Sequence, residues 1–277
     1  MTNIGIFTYA RTGSNWLGHL LNNNDSIYYE EIFCSNYLEY FRKLIPILKL
    51  YKIPNNLIDT FMRIYNPKQL SAYLDISNFR QYLDTKYIYS IDLLETLQSE
   101  TTKFQKNFIY KIFDEHLRNN ITLENLNSFT DYSIINYRQN ALASYISYHK
   151  ALYTKEWTLD FNTSRKHTDY SITIDIDKFM LYKNNIIKFL QDAMRTLNNP
   201  IVIDYENIHR YKNHAEKKQY VNSILHNGGL SIALSDMEIF QKQNDNLLSH
   251  INNYEDIKHI INYNQHIINI KDITYGS

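Results

Sequence analysis

The chain is predicted to be an α/β protein: a central parallel β-sheet flanked by helices, with long helical insertions. Three observations predict it. Short apolar runs of strand length recur at 4–9, 108–113, 132–137 and 201–203. Long segments separate them, several with helical periodicity, as crossovers between parallel strands require. The first and third runs also pass through an arginine straight into a helix start. A sheet built this way has both faces covered, so its strands are apolar throughout.

The first element is Ile4-Gly5-Ile6-Phe7-Thr8-Tyr9, a strand. It enters Ala10-Arg11-Thr12-Gly13-Ser14-Asn15-Trp16 and then a helix beginning Leu17-Gly18-His19-Leu20-Leu21. A tight turn between strand and helix aims backbone N–H groups and the positive end of the helix dipole at one spot, an oxyanion site. Arg11 adds a cation, and Thr12 and Ser14 add hydroxyl donors. Of six glycines in the chain, Gly5, Gly13 and Gly18 fall here, which implies close backbone approach or positive φ. The turn is not the nucleotide-triphosphate loop G-x-x-x-x-G-K-[ST]: its basic residue precedes the glycine. It is not the dinucleotide fingerprint G-x-G-x-x-G either, since Gly13 is followed only by Gly18.

Residues 35–65 follow as a helical region, with Leu38, Phe41, Leu44, Leu48 and Leu50 on one face and breaks at Pro46 and Pro54. Residues 68–100 are expected to form two or more short helices. Phe108-Ile109-Tyr110-Lys111-Ile112-Phe113 is a strong strand. A further strand, within Asp131-Tyr132-Ser133-Ile134-Ile135-Asn136-Tyr137, leads into Arg138 and a helix over 139–153. A polar loop covers 158–171. A long amphipathic helix spans 175–197, Pro200 stops it, and Ile201-Val202-Ile203 is the fourth strand. The rest is helical, broken at Asn227-Gly228-Gly229, and no internal repeat is present. Two strand–Arg–helix units place two cations at the C-terminal edge of one sheet, where α/β proteins bind ligands. A ligand with two separated anionic groups suits that arrangement.

These segments resemble the sulfotransferases that use 3′-phosphoadenosine 5′-phosphosulfate (PAPS), most closely the bacterial carbohydrate-type branch. Arg11-Thr12-Gly13-Ser14-Asn15-Trp16-Leu17 is similar to that family's 5′-phosphosulfate loop, with Arg11 where many members carry Lys. Arg138 through Ser147 is similar to its 3′-phosphate segment. The Arg–Ser spacing is nine residues where eight is commonest, so either Ser147 remains the partner or the register shifts. Tyr29-Glu30-Glu31-Ile32-Phe33, Tyr110-Lys111-Ile112-Phe113, Trp157, Ile203-Asp204-Tyr205-Glu206, Lys242-Gln243 and Ile251-Asn252-Asn253-Tyr254-Glu255 match in order. The R-K-G-x-x-G signature of cytosolic and many Golgi members is absent, which leaves the C-terminal 3′-phosphate and adenine contacts unassigned. The resemblance implies a P-loop-like sulfotransferase fold as a single domain over residues 1–277, with 35–105 as a helical insertion on the acceptor side.

Global properties agree with one catalytic domain. A chain of 277 residues can bury a large core. Lys plus Arg equals Asp plus Glu at 29 each, which gives no bulk electrostatic case for nucleic acid or acidic membranes. No apolar run reaches the ~18–20 residues of a membrane span; residues 44–52 come nearest, interrupted by Pro46 and lysines. The first strand starts too early to leave room for a signal peptide, so the expected location is cytoplasmic. A single cysteine, Cys34, excludes an internal disulfide and a cysteine-based zinc site. The sequons at Asn24, Asn120 and Asn162 are accidents of an Asn-rich chain. Its crowding with Asn, Ile, Tyr and Lys is what an AT-rich genome gives, so most of the 25 tyrosines are core or surface residues.

The implied reaction transfers a sulfuryl group from PAPS to a hydroxyl, releasing adenosine 3′,5′-bisphosphate (PAP). Arg11 and the N–H groups of Thr12, Gly13, Ser14 and Asn15, with Trp16 beside them, would bind the reacting end; Arg138 and Ser147 would fix the 3′-phosphate. No metal is required. Glu31 is the first choice of base for the acceptor hydroxyl, with Glu30 its nearest rival and His116 the second candidate. Lys111 would face the sulfuryl group if its side of the strand does. The acceptor is expected to be a small molecule or a glycan. Two other readings stay open: a metal-dependent glycosyltransferase using Asp175-Ile176-Asp177 as a D-x-D, and a non-catalytic binding module on the same fold.

Overall fold

The computed structural model describes residues 1–29, 91–103, 105–117, 121–154, 170–236, 247–259 and 266–269. The helical region expected over 35–65 and most of the loop expected over 158–171 lie outside the described residues, as does most of the 35–105 insertion. Among the described residues five strands form the sheet: β1 (Asn3–Thr8), β2 (Ser26–Tyr28), β3 (Asn107–Phe113), β4 (Tyr132–Tyr137) and β5 (Ile201–Asp204). Their order is β2-β3-β1-β4-β5, and every pairing is parallel. The described helices are α1 (Ser14–Leu21), α2 (Ile91–Thr102), α3 (Leu123–Phe129), α4 (Ala141–Thr154), α5 (Ile176–Thr196), α6 (Tyr205–Ile208), α7 (His214–Asn227) and α8 (Tyr254–Ile257).

The alternation along each strand builds the two faces. Ile4 and Ile6 of β1, Ile109 of β3 and Ile134 of β4 pack with Leu17, Leu20 and Leu21 of α1 and with Val221 and Leu225 of α7. Phe7, Tyr110, Ile112 and Ile135 point the other way, into a cluster with Leu142 and Ile146 of α4 and Phe179 and Leu190 of α5. Each such fully buried side chain contributes about 1.5–3 kcal/mol relative to exposure. The strands are therefore apolar on both faces, as expected for a covered parallel sheet.

β1 lies between β3 and β4, with Thr8 opposite Phe113 on one side and Asn136 on the other. The chain leaves β1 toward β2, beyond β3, and leaves β4 toward β5 on the opposite side. The C-terminal ends of β1 and β4 therefore flank a topological switch point, the usual crevice for a ligand in an open α/β sheet.

One detail differs from the sequence reading: among the described residues β2 is a three-residue strand paired with β3, too short to stand out among its polar neighbours. The long helix expected over 175–197 is α5, which ends at Thr196, before Pro200, and Asn199 turns the chain at φ 43°. At its other end Asp175 caps it by accepting from the Lys178 N–H at 3.1 Å.

The α1–β2 seam rests on Gly18, where a Cβ would lie 2.0 Å from Cζ of Tyr28. Gly18→Ala is expected to lower stability by about 1–3 kcal/mol, as overpacking does in a dense core. Urea unfolding followed by far-UV circular dichroism measures it; an unchanged midpoint would show that the Tyr28 ring has room to move.

Candidate functional site

The turn after β1 is shaped by positive backbone angles. Arg11 has φ 68° and Gly13, which begins α1, has φ 75°. A side chain at Gly13 would be strained by that angle, and its Cβ would lie 2.6 Å from the Tyr205 ring. Four described helices start on capping side chains, Thr122 for α3, Asp175 for α5, Asp204 for α6 and Asn213 for α7, whereas α8 starts uncapped but with Glu255 and Asp256 in its first turn. α1 has no side-chain cap and no acidic residue in its first turn. Helix geometry leaves the N–H groups of Ser14, Asn15 and Trp16 without intrahelical partners, at the positive end of the dipole.

A buried polar clamp holds this turn to β4. Asn136 Nδ2 donates to the Thr12 carbonyl at 3.0 Å and to Thr12 Oγ1 at 3.1 Å. Thr8 Oγ1 lies 2.5 Å from Thr12 Oγ1 and donates to the Asn136 carbonyl at 2.8 Å. All three residues are almost fully buried. The Thr12 hydroxyl, expected to be a donor toward a ligand, is instead turned inward to fix the loop.

The second arm begins where β4 ends. Tyr9 Oη donates to the Arg138 carbonyl at 2.5 Å and accepts from the Arg138 N–H at 3.0 Å. Arg11 Nε donates to Ser147 Oγ at 2.9 Å, two turns into α4. Ser144 Oγ reaches the Ala10 carbonyl at 3.2 Å. The two sequence-predicted loops are thus brought together, and Ser147, which the sequence reading left either as the partner of Arg138 or out of register, sits beside Arg11.

Arg138 meets the segment after β5. Its Nε lies 3.4 Å from Glu206 Oε1, an ion pair without hydrogen-bond alignment, and its guanidinium lies 5.0 Å from the Tyr205 ring centroid. Glu206 also accepts from the Gln139 N–H at 2.7 Å and the Asn140 N–H at 3.4 Å, at the start of α4. Asp204 accepts from the Glu206 N–H at 2.8 Å and from Asn207 Nδ2 at 2.8 Å. Burial, and then the charge of Glu206, push its carboxyl up to about 6.

Lys111, in β3 opposite Ile6, is fully buried. Its ammonium donates to Asn15 Oδ1 and lies 4.7 Å from the Phe113 ring centroid. It therefore brings a third cation to the first turn of α1. His116 closes the 3₁₀ turn Asp114–His116 after β3, and its Nδ1 accepts from the Phe113 N–H at 3.2 Å. That bond places the proton of a neutral imidazole on Nε2 and makes it a donor, not the proton acceptor expected of a base. Trp16 packs beside His209 and His214, with ring centroids 6.3 and 6.2 Å away, and His209 lies 4.2 Å from Tyr205. Glu30, Glu31, Trp157, Lys242 and Gln243 lie outside the described residues.

The site brings together Arg11, Lys111 and Arg138, with Glu206 against Arg138. Burial first, then the charge of Arg138, pull Arg11 below the ordinary guanidinium range, although an arginine stays protonated at neutral pH. Burial likewise raises the Tyr9 and Tyr205 phenols, so both are neutral donors. The arrangement can hold two anionic groups, one at α1 with Arg11 and Lys111 and one at Arg138. Asp175, part of the D-x-D, is used as a helix cap and pairs with Lys178 at 3.5 Å. Among the described residues, no group of three His, Cys, Asp or Glu could hold a metal ion, and no helix is long and apolar enough to cross a membrane. A separate groove of about 580 Å³ lies along α7, lined by Arg210, Tyr211, Lys212, Glu216, Gln219, Tyr220 and Ser223.

Tyr9, Asn136, Ser144, Tyr205 and Glu206 are the site residues that the sequence reading did not assign. The segment Ile203-Asp204-Tyr205-Glu206 was singled out, without roles. No protein-family model matches the chain, and no curated protein sequence matches it.

The Asp204 carboxyl gives a pH test. Its folded-state pKa lies above the unfolded value of about 3.9. Its contribution to stability is therefore full below about pH 4 and is lost as pH rises through about 6. Asn mimics the protonated acid, so the stability of Asp204→Asn relative to the parent should improve between pH 4 and pH 7. Melting temperatures at both pH values measure this, and a difference independent of pH would contradict it.

Proposed function

We propose that this protein is a PAPS-dependent sulfotransferase that transfers a sulfuryl group to a hydroxyl of a carbohydrate or glycoconjugate. One observation carries the reading: two arginine loops, predicted from sequence as the 5′-phosphosulfate and 3′-phosphate segments, meet at the β1/β4 switch point and are hydrogen-bonded to each other. The parallel sheet with β1 at its centre supports the P-loop-like sulfotransferase fold. The uncapped, acid-free start of α1 supports a phosphosulfate there.

In this reading the acceptor oxygen attacks sulfur as the bond to the bridging phosphate oxygen breaks. PAP leaves, and the acceptor's proton passes to a base. Negative charge grows on the leaving phosphate, so N–H groups of Ser14 and Asn15, Arg11 and Lys111 would stabilise the transition state more than the ground state. Ser147 positions Arg11. Arg138 holds the remote phosphate. His116, with its proton on Nε2, would donate to a sulfuryl oxygen, which leaves Glu31 as the base with Glu30 its rival.

Radiolabelled PAPS offered to a panel of glycan acceptors tests turnover. Arg11→Ala should lower kcat by roughly 10²–10³-fold, the usual loss when a transition-state donor is removed. Arg138→Ala should mainly raise the KM for PAPS, since it touches the end that does not react. Small and equal effects of both would contradict the assignment.

Glu31→Gln should keep PAP binding and lose roughly 10²–10⁴-fold in kcat, together with the acidic limb of the pH–rate profile. Full turnover in Glu31→Gln with loss in Glu30→Gln would move the role to Glu30.

A further inference from the structure

Tyr9 is the residue that ties the first arginine loop to the backbone of Arg138, and nothing in the proposed chemistry uses it. It is the first residue after β1, two before Arg11, and is almost completely buried. Its ring belongs to the large buried cluster on this face of the sheet, which also holds Tyr137, Ala141 and Ile146, so the position of its hydroxyl is set by the core. That hydroxyl meets both backbone polar atoms of Arg138, donating to the carbonyl and accepting from the N–H. Arg138 lies just beyond β4, which ends at Tyr137, so the sheet ladder no longer fixes its backbone.

We infer that Tyr9 is a positioning residue that sets the spacing between the Arg11 and Arg138 cation sites, and thereby the preference for a nucleotide with two separated phosphates over one with a single phosphate. This inference rests on the sulfotransferase reading above. The physical argument concerns the hydroxyl alone. Phenylalanine would fill the same volume, whereas a buried phenol costs free energy unless its hydrogen bonds are made. Here they are made to the two peptide groups flanking the Cα of Arg138. One rigid ring therefore carries the geometry of the β1 turn across to the second cation. The Arg11–Ser147 bond runs between the same loops but ends on a flexible side chain and leaves the Arg138 backbone untouched. Without the Tyr9 hydroxyl, Arg11 keeps its turn, because the Thr8–Thr12–Asn136 clamp is independent of it. Arg138 loses its fixed place. The cost should therefore fall on the second phosphate only.

Calorimetric titration of the full chain with PAP and with adenosine 5′-monophosphate separates the possibilities. The parent should bind PAP more tightly than the monophosphate. Tyr9→Phe should weaken PAP about tenfold, as the loss of two hydrogen bonds implies, and change the monophosphate less than about twofold. In an Arg138→Ala background the same substitution should have less than about a twofold effect on PAP, because the group it positions is gone. Should Tyr9→Phe fail to fold, Tyr9→4-aminophenylalanine keeps a para donor and weakens the acceptor. It should show the same selective loss at smaller size. Equal weakening of both nucleotides, or a full additional loss in the Arg138→Ala background, would overturn the positioning role while leaving the sulfotransferase reading intact. A parent protein that shows no preference for PAP would overturn the reading itself and the ligand preference with it.

Discussion

Arg11 and Arg138 are held in a mostly buried crevice, close enough for the charge of Arg138 to work against that of Arg11. Like charges do not gather there unless other forces hold them, and the surrounding structure supplies those forces. The β1/β4 pairing brings the two strand ends together. The Thr8–Thr12–Asn136 clamp fixes the turn that carries Arg11, and Tyr9 fixes the backbone of Arg138. Glu206 offsets one positive charge, and Lys111 adds another on the opposite side. Three basic side chains meeting at one sheet edge, where α/β proteins bind ligands, are the physical basis of the functional reading.

The ends of the helices show the same bias. Most described helices with a defined start satisfy their first N–H groups with a side chain, whereas α1 does not. At α4 the carboxylate of Glu206 accepts from the first N–H groups and also faces Arg138. Two neighbouring helix starts therefore differ: one is closed by the carboxylate of Glu206, and the other begins on Gly13, which has no side chain to cap it.

Much of this was legible in the sequence because it rests on local pattern. The strands at 4–9, 108–113, 132–137 and 201–203 are apolar and bounded, and an arginine follows two of them directly. Gly13 and Gly18 stood out in a glycine-poor chain, and the structure gives one a positive φ and the other a close aromatic contact. What was missed depends on register across strands. That Thr12 turns inward follows from Asn136 lying opposite Thr8. That Ser147 meets Arg11 and not Arg138 follows from how α4 packs over the β1 turn. Tyr9 was read as the last residue of a strand, because nothing in one chain's sequence says where a phenol's oxygen will land. His116 was legible as a polar residue at a strand end, but its tautomer depends on the 3₁₀ turn that aims the Phe113 N–H at Nδ1.

The central claim is that the α1 turn and Arg138 form one cradle for a ligand with two phosphates. A crystal structure of the protein grown with PAP tests it most directly. The account predicts the 5′-phosphate on the N–H groups at the start of α1 beside Arg11, and the 3′-phosphate on the Arg138 guanidinium. PAP bound elsewhere, or bound with a single phosphate at the α1 turn and the other directed away from Arg138, would contradict it.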